Sequence, residues 1–238
     1  MRRVLVTRPE PGASRTMRRL EEMGCQPILL PLTETVALPV DAGVDAGDAA
    51  AVAITSANAV RHAPKELIAA LAKLPCHAVG KRTAEAARKA GISSVSEGPG
   101  DAVALADMIA AAHPASTILY LTGRVRFPAF EESLQATGVR VRAIETYDTI
   151  ALSHSDADVL GRLSGLPVEA VLLYSAKAAV ATNALIARPA LSDLFEKSGF
   201  FALSGRIAAA LDGVAPERVH IAAEPQEEAL LSLLRGEG

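Results

Sequence analysis

The chain has 238 residues, 50% of them apolar and 21% charged, enough to bury one large core or two smaller ones. Aromatic residues make up 3%, Trp is absent and the net charge is −3, which argues against stacking platforms for single-stranded nucleic acid and against a broad polyanion-binding face. No apolar run reaches the roughly 18 residues of a membrane span, and the apolar start is too short for a signal peptide, so a cytoplasmic protein with no membrane and no nucleic-acid partner is expected.

In chain order, Val4 to Val6 read as a buried strand and Thr7 to Gly12 as a loop. Ser14 to Glu22 read as a helix with Met17, Leu20 and Met23 on one face and Gly24 as its stop. Ile28 to Leu32 form the next expected strand, followed by a short strand at Thr33 to Ala37 and a connector over Val36 to Asp48. Ala51 to Ile54 are small and β-branched apolars, as in a strand buried on both faces, and Thr55, Ser56 and Asn58 then supply helix-capping chemistry. A helix from Val60 to Ala72, interrupted near Pro64, leads to a strand at His77 to Val79 and a helix from Thr83 to Ala90 that stops at Gly91. A strand near Val95, a helix from Val103 to Ala112, a strand at Ile118 to Leu121, a helix from Phe130 to Thr137 and an extended stretch from Val139 to Thr149 complete the first part. Alternating strands and helices predict parallel sheets.

The Ala51 corner returns at Ala170 to Val180. Aligning Ser56 with Ser175 sets an offset of 119 residues, half the chain. AVGKRTAEAA (Ala78 to Ala87) pairs with ALSGRIAAAL (Ala202 to Leu211), and VLVTRP (Val4 to Pro9) with LYLTGR (Leu119 to Arg124), as in an old tandem duplication. The copy from Ala170 to Leu234 supplies only three strand units, so its missing strands are those at Met1 to Leu32. The expected architecture is α/β: two doubly wound parallel-sheet domains of flavodoxin-like type, one from residues 1–35 plus 150–238 and the other from 36–149. A two-stranded β-ladder hinge near 33–38 and 145–152 joins them.

Parallel sheets bind ligands beyond the carboxyl ends of their strands, where helix N-termini offer free N–H groups. Those corners hold Arg8; Ser56 and Asn58; Gly80, Lys81 and Thr83; Gly123, Arg124 and Arg126; Ser175 and Lys177; Ser204 and Arg206. Nearly every corner carries a cation, which suits a ligand with several carboxylates or phosphates. Each cation taken alone reads better as a solvated surface residue, since such side chains are mostly exposed; the six corners together favour the ligand reading. The GKRT stretch lacks the spacing of a phosphate-binding loop, no GxSxG elbow occurs, and the five His and two Cys show no metal spacing, so no metal is expected and Cys25 and Cys76 read as packed thiols.

VLVTRPEPGASRTMRRLEEMG at the start, ITSANAV, AVGKRTAEAARKAG, LYLTGRVR and ETYDT in the middle, and weaker SAK and SGRIAAAL matches near the end together resemble the uroporphyrinogen-III synthase family. The resemblance implies two α/β domains with the active-site cleft between them, no cofactor, and a small-molecule substrate, the linear tetrapyrrole polycarboxylate hydroxymethylbilane. The implied reaction removes the terminal hydroxyl and closes the ring with inversion of ring D to give uroporphyrinogen III. It also places Tyr147 in ETYDT as hydrogen-bond donor to the departing hydroxyl and marks Thr83 as a polar site position; a monomer is expected because nothing in the sequence suggests more. Many relatives carry Ser-Pro-Ser where this chain has Ser175, Ala176 and Lys177, and a Thr pair after Gly where it has Ser204, Gly205, Arg206 and Ile207. The alternative readings are a non-catalytic, two-lobed hinged anion-binding or sensor module, and a family member that keeps the fold without turnover.

Overall fold

The computed structural model describes residues 1–41, 46–126 and 128–236. The chain opens with β1 (Arg3–Val6), α1 (Gly12–Glu22), β2 (Gln26–Leu29) and β3 (Thr33–Ala37). Then come β4 (Ala49–Ile54), α2 (Ala57–Arg61), α3 (Lys65–Leu71), β5 (Cys76–Ala78), α4 (Lys81–Ala90) and β6 (Val95–Glu97). They are followed by α5 (Ala102–Ala112), β7 (Thr117–Gly123), α6 (Ala129–Ala136) and the long β8 (Arg140–Ala151). The last part holds α7 (Asp156–Leu163), β9 (Ala170–Leu173), α8 (Ala176–Ile186), α9 (Ser192–Phe195), β10 (Gly199–Ala202), α10 (Gly205–Ala208), β11 (Val219–Ile221) and α11 (Glu227–Ser232). Part of the expected connector, residues 42–45, lies outside the described residues.

Contacts divide the chain into two compact units, Met1–Glu34 with Ile150–Gly238, and Thr35–Thr149. One five-stranded sheet runs β11-β10-β9-β1-β2, and a six-stranded sheet runs β3-β8-β7-β4-β5-β6. The registered strand pairs are parallel in both. β3 is different: the Leu38 amide donates to the Thr146 carbonyl and the Leu152 amide to the Leu32 carbonyl, so residue numbers fall on one strand as they rise on the other, the signature of antiparallel pairing.

Strand alternation builds a core on each face of each sheet. In β1, Leu5 joins one cluster while Val4 and Val6 join another; in β4, Val52 and Ile54 face one cluster, Ala51 and Ala53 the other. Leu5, Leu172 and Ile54 are fully buried, and truncating any of them to Ala would cost about 2–5 kcal/mol.

The duplication is visible in the strand order. Matching β4, β5 and β6 with β9, β10 and β11, and β7 and β8 with β1 and β2, turns β8-β7-β4-β5-β6 into β2-β1-β9-β10-β11, the order observed. The corners match as well. Ser56 caps α2 by accepting from the Asn58 amide at 3.2 Å, and Ser175 caps α8 by accepting from the Ala178 amide at 3.1 Å.

Some boundaries differ from those expected. The strand expected at Ile28 to Leu32 is β2 at Gln26–Leu29: pairing starts where the Gln26 amide meets the Arg2 carbonyl, and the Leu30 and Leu32 amides still reach the Val6 and Thr7 carbonyls past its end. The helix expected from Val60 to Ala72 starts earlier, at Ala57, and the interruption expected near Pro64 parts it into α2 and α3. α4 stops at Gly91, whose φ of +108° is a left-handed conformation costly for other residues.

Candidate functional site

The site is built in the unit of residues 35–149, where β4 and β5 end side by side. Ser56, Asn58, Gly80, Lys81 and Thr83 line one pocket of about 470 Å³, together with Arg61, Arg82 and the backbone of Gly100. The N-terminus of α4 opens there: Gly80 caps the helix in extended conformation, and a turn that brings the Gly100 amide to the Val79 carbonyl closes the pocket beside it. Three cations and no carboxylate line this pocket. Positive side chains and a helix N-terminus therefore act in the same direction, toward an anion.

Tyr147 stands beside it on β8. Its hydroxyl donates to Ser56 Oγ at 3.1 Å, its carbonyl accepts from the Arg124 amide at 2.9 Å, and its ring lies parallel to that of His62 with centroids 5.8 Å apart. His62 is fixed in turn by a 2.8 Å contact between Nε2 and Thr35 Oγ1. Gly123 leaves room for the phenol, since a Cβ there would come within 2.7 Å of the ring. Burial pushes the Tyr147 phenol above its ordinary pKa, against the opposing pull of the Ser56 hydrogen bond. The phenol thus holds its proton throughout the neutral range.

Ser56 Oγ accepts from both the Asn58 amide and the Tyr147 hydroxyl. A serine hydroxyl has two acceptor positions and one proton, so with both positions filled it faces the pocket as a donor.

The corner after β7 is electrically different. Arg124 pairs with Glu145 at 3.4 Å and Asp148 at 3.6 Å, and Arg126 with Glu131 at 2.9 Å and Glu145 at 2.8 Å. In the other unit, Arg8 pairs with Glu227 at 3.0 Å and lies 4.1 Å over the Tyr174 ring. The corner cations expected from sequence are thus unequal: three of the arginines are matched by carboxylates. Ser175 and Ser204 stand at the N-termini of α8 and α10, and Lys177 and Arg206 in the first turns of those helices. Sequence reasoning also passed over His62, Thr35 and Arg61, which support or line the site. The ring contact between His62 and Tyr147 crosses 85 positions and leaves no local trace.

The family model described as uroporphyrinogen-III synthase HemD matches residues 14–232. The chain belongs to the uroporphyrinogen-III synthase family. It is similar to the uroporphyrinogen-III synthetase of Helicobacter pylori 26695, at 18% identity and a TM-score of 0.64 over 99% of each chain. It is also similar to a mutant uroporphyrinogen III synthase of the extremely thermophilic bacterium Thermus thermophilus, at 20% identity and a TM-score of 0.55 over 99% of this chain and 97% of the other. At these identities the structural likeness speaks for the fold. No curated protein matches the chain. Membership covers nearly all of the chain and identifies it as an enzyme of the uroporphyrinogen-III synthase family, a reading favoured over a binding-only module. Among the described residues, no helix is long and apolar enough to cross a membrane, and no three His, Cys, Asp or Glu side chains are grouped to hold a metal.

Proposed function

We propose that the chain converts hydroxymethylbilane to uroporphyrinogen III mainly by positioning, with Ser56 and Tyr147 assisting loss of the hydroxyl. The observation that carries this reading is the Tyr147–Ser56 hydrogen bond at the edge of a pocket lined by cations alone among charged groups. Pyrrole nitrogen lone pairs can expel the terminal hydroxyl and leave an azafulvene electrophile, so departure needs a hydrogen bond more than a strong acid. A phenol that stays protonated, backed onto a serine whose own proton faces the pocket, fits that need.

The geometric part of the task falls to the anion contacts. Lys81, Arg61 and Arg82 with the first-turn amides of α4 would hold substrate carboxylates, while Asn58, Gly80 and Thr83 shape the wall. Arg124 and Arg126 would add contacts, where a substrate carboxylate must compete with an internal one. Ring D, held by the folded chain, then attacks the azafulvene through its substituted carbon to form a spiro intermediate; breaking that carbon's original methylene bond and re-closing at the free carbon inverts ring D, with no bond to the enzyme.

The experiment supplies hydroxymethylbilane generated in situ, oxidises the product and separates the porphyrin isomers. Isomer III above the spontaneous background supports the proposal; isomer I alone rejects it. Localisation in the cytoplasm and a monomeric state belong to the same proposal, and sedimentation of the purified chain tests the second.

A further inference from the structure

A second, larger hollow lies in the unit of residues 35–149. A groove of about 900 Å³ lies between α3 and α4, lined by residues 65, 68, 69 and 72 of one and 82, 85, 86, 89 and 90 of the other, each set at the spacing of a single helical face. Its floor is apolar, with Val60 and Ile68 buried and Ala63 and Ala86 beside them. Around it stand the exposed cations Arg61, Lys65, Arg82 and Lys89, against a single lining carboxylate, Glu85. The volume is near the top of the range for small-molecule pockets, about 300–1,000 Å³.

We propose that this groove is a second ligand site, for a molecule with an apolar body and several carboxylates, and that its occupant is a tetrapyrrole carboxylate held outside the reaction pocket. Charge complementarity carries the argument. Leaving Arg82 aside, Arg61, Lys65 and Lys89 facing Glu85 leave an excess of two positive charges over an apolar floor, a combination that rewards a flat hydrocarbon framework with an acidic rim and repels cationic ligands. Arg61 and Arg82 line both this groove and the smaller pocket, so a carboxylate held by either arginine is already at the border of the reaction site. Naming the ligand a tetrapyrrole rests on the function proposed above; the preference for an apolar polycarboxylate rests on the groove alone.

The test uses the full chain with Lys65→Glu and Lys89→Glu combined, two exposed positions outside the reaction pocket, and separately Ala86→Phe, which fills the floor without changing charge. Uroporphyrin, the stable oxidised form of the cyclic product, is titrated against each by fluorescence. The wild type should show two classes of site, and the charge variant should bind one of them about 10-fold more weakly. The same class should weaken with added salt in the wild type. Turnover of bilane generated in situ then separates the sources. A raised KM with unchanged kcat assigns the groove to the linear substrate, and an unchanged KM with weaker product inhibition assigns it to the cyclic product. Porphyrin titrations, KM and product inhibition that match the wild type in both variants overturn the proposal. If the wild type forms no isomer III while the variants still lose porphyrin affinity, the groove stands and the assigned reaction falls.

Discussion

Gly123 and Tyr147 face one another across the β7–β8 ladder, and a Cβ on residue 123 would stand 2.7 Å from the phenol Cζ. The ring can lie against the sheet only because the residue opposite has no side chain. Gly123→Ala should therefore turn the phenol away from Ser56. Turnover should fall about 10-fold or more with circular dichroism unchanged, since a misplaced catalytic group costs rate while the fold tolerates one methyl at the end of a strand. A crystal structure of the variant with the Tyr147 hydroxyl still on Ser56 would refute the steric argument.

Ser56 has two roles that mutation can separate. It caps α2, a contribution of about 1 kcal/mol, and it takes the Tyr147 hydrogen bond. Ser56→Ala should lose both, whereas Ser56→Asn should keep the cap and lose the alignment. Because Ser56 and Tyr147 act through one hydrogen bond, Ser56→Ala combined with Tyr147→Phe should slow turnover little more than the worse single change. A fully multiplicative loss would mean that they act independently.

Glu227 ties the first and last helices of its unit together. It accepts from Arg8, Arg19, Tyr174 and Thr16. Burial alone would raise its pKa, but the hydrogen bonds from Thr16 and Tyr174 and the charges of Arg8 and Arg19 outweigh burial and hold it below the ordinary carboxylate value. A lowered carboxylate pKa stabilises the fold above the unfolded value, near 4.5, and that contribution is lost as pH falls through the folded value. Glu227→Gln should cost about 1–3 kcal/mol in urea titrations at pH 7 and should flatten the acid limb of the stability curve.

His77 and His113 meet at 2.9 Å between their Nε2 atoms, one donating and the other accepting. Burial, and then the neighbouring His113, hold His77 below its usual pKa of 6.5. The unfolded chain therefore takes up a proton that the folded chain refuses, and stability should be complete above about pH 6.5 and fall as pH drops below it. His77→Phe should remove part of that slope in melts between pH 5 and 8. An unchanged slope would exclude the pair as its source.

Much of this fold was legible because its signals are local and repeated. Apolar runs that end at serine or glycine corners mark the strands and caps, and their recurrence after 119 residues anticipated the common strand order of the two sheets. The ends of elements were harder to read, since the apolar run Ile28 to Leu32 stays buried at Leu30 and Leu32 after the strand itself has ended. In the candidate site, Ser56, Asn58, Gly80, Lys81 and Thr83 line one pocket, and each sits at a strand-to-helix corner that the sequence marks. The neutralising carboxylates Glu145, Asp148 and Glu227 were not legible, because their pairing with Arg124, Arg126 and Arg8 depends on tertiary distance. Corner chemistry is written in neighbouring residues; the electrostatic balance of a corner is not.

Turnover and product composition of Tyr147→Phe, measured with bilane generated in situ, address the central claim most directly. Without the phenol the Ser56 hydroxyl is no longer held as a donor to the departing group, and a hydrogen bond to developing negative charge is worth about 1.5–3 kcal/mol, which corresponds to about 10- to 150-fold in rate. The account predicts a loss in that range at unchanged KM, with isomer III still the enzymatic product, because the anion contacts that fold the substrate remain. Wild-type turnover by the variant would contradict it.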